Sequence, residues 1–249
     1  MNWIDLFNNL TSVTNNKVCQ NGGFFTMDKK IYQKIFNDID KSLQFDKEDI
    51  VLDIGCGNGE ITKFIAPRVK EVILVDGAAK MLEFAHKATQ NFENTEFKII
   101  DLNKPLNISE LGAFDKIFCY SVVQYLDDYQ KFENLLREMV RALKPGGKIL
   151  VGDIPLADKR EKYLRERRKK PLINLFGNLK HFFKKTITSL IVNNIGKNVE
   201  ARGVIYSNRD IINQSIISLN EKNVNSIWVE QDKKLLFSVS REDLLIFKK

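Results

Sequence analysis

Residues 51–60, VLDIGCGNGE, put Gly55, Gly57 and Gly59 into five positions at the end of a short apolar run. The run, rich in Val and Ile, reads as a buried strand. Glycines behind it let the chain turn sharply and let another molecule come close without meeting a Cβ. A strand, a glycine turn and then a helix are the first half of a βαβ unit, and that unit commits the strand to a parallel sheet covered on both faces. Ligands of open parallel sheets sit outside the carboxyl ends of the strands, where these glycines lie.

The same alternation continues along the chain. Residues 28–43 place Ile31, Ile35, Ile39 and Leu43 at helical intervals, with Asp28 as the start cap. A helix is predicted from Glu60 to about Arg68, a strand over 71–76 and a helix from Ala78 to Asn91. EFKIID and FDKIFCYS read as the third and fourth strands, closed by Asp101 and Ser121. Asp127 and Asp128 open a helix with the apolar stripe Phe132, Leu135, Leu136, Met139, Val140 and Leu143, and Lys144-Pro145-Gly146-Gly147 stops it. KILVGDI is the fifth strand. After Pro155 a charged helical stretch runs to about Asn194, Ser207 reads as a helix cap, and NSIWVEQ and DLLIFKK read as two final strands. The pattern implies an α/β fold, a parallel sheet with helices on both faces.

A chain of 249 residues has room for one large domain or one domain with an insertion. The hydrophobic share of 43% and charged share of 29% are ordinary for a globular protein. Cys19, Cys56 and Cys119 are odd in number and form no CxxC pair, which argues against a disulfide framework or a zinc site. MNWIDLFNNL lacks the order of a signal peptide, and no apolar run approaches the ~18 residues of a membrane span. A reducing cytoplasm is the expected location. The net charge of +7 is local: residues 158–185 carry eleven Lys/Arg against three Asp/Glu, and the remainder is close to neutral. This segment has three readings: a substrate cover that draws an anion, a plain solvated face, or a peripheral membrane contact through 158–190.

Three ligands compete for the glycine loop. A dinucleotide motif needs a third glycine where Glu60 stands, and the Asp53 and Glu60 carboxylates would repel a pyrophosphate. A P-loop would need Gly-Lys-Ser/Thr, which is missing. Asp76 closes the second strand about 20 residues past the first glycine, the place of a carboxylate that accepts ribose hydroxyls. Asp101 is placed to accept from an adenine amino group. An ammonium, a ribose and an adenine without phosphates describe S-adenosylmethionine.

With VLDIGCGNGE, VILVDGAAKML, IIDLN, FDKIFCYSVVQYLDD and LLREMVRALKPGGKILVGDI in series, the chain resembles class I S-adenosylmethionine-dependent methyltransferases over roughly residues 50–154. The resemblance implies a doubly wound, mostly parallel seven-stranded sheet of Rossmann-like type with an antiparallel C-terminal strand pair. It implies S-adenosylmethionine as cofactor, S-adenosylhomocysteine as product, and no metal. Asp53, Gly55 and Gly57 would surround the methionine part, Asp76 the ribose and Asp101 the adenine; the backbone at Cys119 and Tyr120 would meet the amino group. Cys56, Gly77, Met81 and Leu102 complete that expected site. Gln124 and Tyr125, with Tyr120, fall where relatives place groups near the transferred methyl, and a histidine base is ruled out there. Arg165, Arg168 and His181 are the candidate substrate contacts. The implied organisation is an N-terminal helical cap (1–45), a cofactor-binding core (46–154), a basic helical cover (155–206), and a C-terminal helix and strand pair (207–249). The expected activity is methyl transfer to an oxygen of a small anionic or nucleotide-linked acceptor, without nucleic acid. The short N-terminal stretch and the basic cover resemble methyltransferases of bacterial surface-glycan and sugar-nucleotide pathways. An RNA methyltransferase and a non-catalytic partner protein are the competing readings.

Overall fold

The computed structural model describes residues 3–5, 7–8, 29–159, 165, 207–219, 221, 223–233, 235, 238 and 240–249. Residues 3–5, 7 and 8 are helical. Helix α1 (Lys29–Leu43) leads into β1 (Ile50–Ile54), followed by α2 (Thr62–Ile65), β2 (Glu71–Asp76), α3 (Ala79–Thr89) and β3 (Thr95–Ile99). Then come β4 (Phe114–Tyr120), α4 (Tyr129–Ala142), β5 (Leu143–Pro155), α5 (Arg209–Ser218), β6 (Val224–Val229) and β7 (Arg241–Lys248). The strands form one sheet in the order β3-β2-β1-β4-β5-β7-β6. β1 to β5 run parallel, and β7 lies antiparallel between β5 and β6. The chain order reverses between β1 and β4, which opens a crevice at their carboxyl ends.

Alternation along each strand sends neighbouring residues to opposite faces. Leu52 and Ile54 of β1 pack in one cluster with Leu135, Leu136 and Met139 of α4. Val51 packs in the other, with Ile35, Phe36 and Ile39 of α1. The apolar stripes of α1 and α4 therefore cover the two sides of the sheet.

Several boundaries differ from the sequence expectation. The helix expected over 60–68 is α2 followed by a 3₁₀ turn, Ala66–Arg68, because Pro67 supplies no N–H to continue an α-helix. β3 ends at Ile99, so Asp101 lies two residues beyond it. β4 ends at Tyr120, and Ser121 takes a positive φ of 59°. Lys144-Pro145-Gly146-Gly147 ends α4 as expected but bulges within β5, with Gly146 at φ 79°. Ser207 is not the cap of α5: it bridges to Leu156, and Asn208 caps the helix by accepting from Asp210 N at 2.8 Å. Asp28 and most of the basic stretch lie outside the described residues; Ala157–Lys159 and Arg165 are helical. No helix among the described residues is long and apolar enough to cross a membrane.

Asp128 caps α4, its carboxylate accepting from Lys131 N at 2.9 Å. Asp128→Ala should cost about 0.5–2 kcal/mol in chemical denaturation, and Asp128→Asn only a few tenths.

Candidate functional site

The glycine loop after β1 is tied to the end of β2. Gly55 N and Cys56 N both donate to Val75 O, at 2.7 and 3.0 Å. Gly57 N donates to Asp76 Oδ2 at 3.0 Å, and Ala78 N to Asp76 Oδ1 at 2.8 Å. Both Asp76 oxygens are thus engaged by backbone N–H groups, and the carboxylate still borders the cleft. Burial raises the Asp76 pKa, and its backbone hydrogen bonds to Ala78, Gly57 and Gly77 offset part of that rise.

Gly55, Gly57 and Gly59 have φ values of 70°, 55° and 73°. A Cβ on Gly55 would stand 2.3 Å from Val122 Cγ2, and one on Gly59 2.9 Å from the Ala85 backbone. A Cβ on Gly57 would meet nothing within 4 Å. Gly55 and Gly59 are small because protein packs against them, whereas Gly57 faces open space.

That space opens into a cleft between the glycine loop, the start of α3 and the end of β4. Of the expected cofactor residues, Gly55, Cys56, Gly57, Asp76, Gly77, Met81, Asp101, Leu102 and Tyr120 line it. Asp101 sits in a turn, its Oδ1 accepting from Asn103 N at 3.0 Å. Two expected residues stand behind the wall. Cys119 is buried within β4. Asp53 is buried against Thr62, whose hydroxyl donates to it, and burial pushes its pKa up to about 7. Glu60 pairs with Lys63 instead of facing the cleft. The expected repulsion of a pyrophosphate by Asp53 and Glu60 therefore does not come from the cleft wall; the carboxylates that line it are Asp76 and Asp101.

Of the residues expected near the transferred methyl, Tyr120 and Tyr125 line the cleft and Gln124 does not. Gln124 Nε2 donates to Ser121 O at 2.9 Å, which fixes the turn that carries Tyr125. Burial raises the Tyr125 phenol above its ordinary value, beyond what Gln124 and Arg241 offset. That direction disfavours a base, and the ring forms part of the cleft wall. Arg165 is helical and exposed, and Arg168 and His181 lie outside the described residues.

The structure also brings in residues that sequence reasoning missed. Trp3 and Phe7 set their rings edge-on to Tyr125, with centroids 4.6 and 5.5 Å away. Ile4 covers Gly77, where a Cβ would stand 2.7 Å from Ile4 Cδ1, and Asn8 Oδ1 accepts from Lys80 N at 3.2 Å. The first residues thus roof the cleft; their helical spacing was the available signal. Tyr32 of α1 is buried and lines the cleft, with Asn58 in hydrogen-bond reach of its hydroxyl. Burial raises that phenol strongly, so it stays protonated and able to donate.

Residues 51–147 match a family model described as a methyltransferase domain. The match covers 97 of the 249 residues, from β1 to the start of β5. The chain is similar to a demethylmenaquinone methyltransferase of Tropheryma whipplei, 28% identical over 101 residues, 41% of this chain and 40% of the relative. It is also similar to a probable ribosomal RNA small subunit methyltransferase A of Methanococcus aeolicus, 35% identical over 96 residues, 39% of this chain and 33% of the relative. The aligned stretch thus spans well under half of these relatives. Among solved structures, the N-methyltransferase NodS of Bradyrhizobium japonicum in complex with S-adenosylhomocysteine has the same fold: TM-score 0.60, 17% identity, 97% of this chain and 98% of that one. The residues present fit S-adenosylmethionine, whose demethylated form the NodS structure holds. Asp76 and the open space at Gly57 border the cleft, and Tyr32 brings a hydroxyl to it. Among the described residues no group of His, Cys, Asp or Glu is arranged to hold a metal.

Two outcomes are expected. Gly55→Ala should lower the melting temperature, whereas Gly57→Ala, with only about 1–2 kcal/mol of backbone strain, should be seen mainly as lost cofactor affinity in calorimetry. Asp53 has a folded pKa near 7 against an ordinary 3.8. The folded state then holds more protons than the unfolded one between about pH 4 and 7, so this group's contribution to stability falls as pH rises through that window. Denaturation at pH 5 and pH 7 should show a smaller fall for Asp53→Asn than for the parent.

Proposed function

We propose that the protein is an S-adenosylmethionine-dependent methyltransferase acting on a small molecule. The observation that carries this is the Asp76 carboxylate, locked by Gly57 N–H and Ala78 N–H at the edge of a cleft that its own loop leaves open. The cofactor, when bound, supplies a methyl group on a sulfonium with a neutral leaving group. Asp76 accepts from the ribose hydroxyls, and Asp101 with Leu102 flanks the adenine. Gly55, Cys56 and Gly57 border the methionine part, where the Tyr32 hydroxyl donates to an oxygen. Trp3, Phe7 and Tyr125 exclude water and align the acceptor, a contribution of several kcal/mol.

Among the described residues lining the cleft there is no histidine, and the Tyr125 phenol is raised. The acceptor atom therefore presents its own lone pair, as an ionised oxygen or an unprotonated amine does. Transfer to an anionic oxygen, as on a sugar nucleotide or surface-glycan intermediate, draws its support from the basic charge of residues 158–185. The described part of that segment gives it little: Lys159 is paired with the buried carboxylate of Glu242. An RNA acceptor would use the same charge on phosphates, and binding that collapses between low and moderate salt would reveal it.

Asp76→Ala should weaken S-adenosylmethionine binding by roughly 1.5–3 kcal/mol, the scale of a charged hydrogen-bond partner, in a protein that still folds. Unchanged affinity by calorimetry would overturn the cofactor assignment.

A further inference from the structure

We propose that the methyl acceptor is an amine, received where Tyr120, Ser121 and Tyr125 close the cleft. This rests on the methyltransferase reading above and goes on to name the chemistry of the acceptor. No described residue lining the cleft is Lys, Arg or His, while Trp3, Phe7, Tyr32, Tyr120 and Tyr125 are aromatic. Aromatic faces attract ammonium groups and offer nothing to an anion.

Directly behind this wall lies a buried network. The Ser121 hydroxyl donates to Asp153, and Arg241 pairs with the same carboxylate. Asp153 N donates to Asp243 Oδ1 at 2.8 Å. Gln231 Nε2 donates to Asp243 Oδ1 at 2.7 Å and to the Tyr120 hydroxyl at 3.3 Å. Asp153 and Asp243, with Asp38 in electrostatic reach, thus face one guanidinium. Burial raises both of the first two carboxyls, Asp243 to about 7, and the Asp153 charge raises Tyr120 and Tyr125 as well. Among the described residues, Arg241 is the cation paired with this network.

Two glutamines stand behind this wall. Gln231 Oε1 and Gln124 Oε1 are buried acceptors without a partner, on residues only 5% and 2% exposed. The Gln231 amide cannot turn to satisfy itself, because its Nε2 is needed on the Asp243 carboxylate. Gln124 is held the same way by Ser121 O. Neither glutamine lines the cleft, so both brace its tyrosine wall from behind, and the buried carboxylates there favour a cation in front of it.

The chemistry balances without a base on the chain. The amine arrives unprotonated, its proton left to solvent water. Its lone pair forms the new N–C bond while the S–C pair stays on sulfur. The positive charge moves from sulfur to nitrogen, so the wall faces a cation before and after transfer.

The test mimics the product state. Tetramethylammonium chloride is titrated by calorimetry into the full chain loaded with S-adenosylhomocysteine, whose sulfur occupies the cofactor's own place. Sodium acetate and tert-butanol serve as anionic and neutral controls. Saturable binding of tetramethylammonium alone is expected. Tyr125→Leu should weaken it about 3- to 30-fold and Asp243→Asn about tenfold, with S-adenosylhomocysteine affinity unchanged. Thermal melts verify that each variant folds, and Tyr125→Leu leaves the carboxylate network intact. The inference is overturned by no saturable binding, by equal binding of either control, or by indifference to both substitutions. Failure of S-adenosylhomocysteine itself to bind would overturn the methyltransferase reading, and the amine with it.

Discussion

The Asp76 carboxylate joins two pieces of chain that meet only because β1 and β2 are neighbours. By accepting from Gly57 N and Ala78 N it holds the glycine loop to the start of α3. Val75 O takes the two preceding N–H groups of the same loop. Four donors that would otherwise be orphaned at the mouth of a sheet are satisfied at one strand end. The cost of burying a carboxylate is offset by those bonds, and the carboxylate borders the cleft. The same residue therefore shapes the loop and presents the ligand contact, so any change there acts on both.

At the other end of the cleft the walls are made differently. Positive backbone angles at Ser121 and Asp153, with φ of 59° and 60°, turn the chain at the ends of β4 and within β5. These turns bring Ser121 and Asp153 together, and β7 supplies Arg241 and Asp243 from the antiparallel side. Gly152 leaves room for the Tyr120 ring, since a Cβ there would stand 2.3 Å from Tyr120 Cδ2. One end of the cleft is thus organised by backbone amides on a single carboxylate, the other by aromatic rings over a buried ionic network.

Much of the frame was readable from periodicity. Apolar runs of strand length alternate with helical stripes, and glycine, proline and aspartate mark the joints; α1, α3, α4 and all seven strands fall within a few residues of where those signals put them. The misses have local causes, such as Pro67 shortening α2 and the Lys144–Gly147 bulge lengthening β5. Asp76 was legible because its distance from the glycines is set by one βαβ turn. Asp153, Arg241 and Asp243 were not, because they meet across strands about 90 positions apart and look like ordinary strand polar residues. Trp3, Ile4 and Phe7 were missed for the same reason: nothing local says that the first turn folds back onto Gly77 and Tyr125.

That first turn gives the protein an optical reporter. The chain has two tryptophans. Trp228 lies on β6, its indole N–H bonded to Asn213 Oδ1 at 3.0 Å and its ring beside Arg209. Trp3 lines the cleft against Tyr125. Ultraviolet emission therefore comes from one indole at the cleft and one outside its lining, and removal of Trp228 leaves a signal that originates entirely at the cleft mouth.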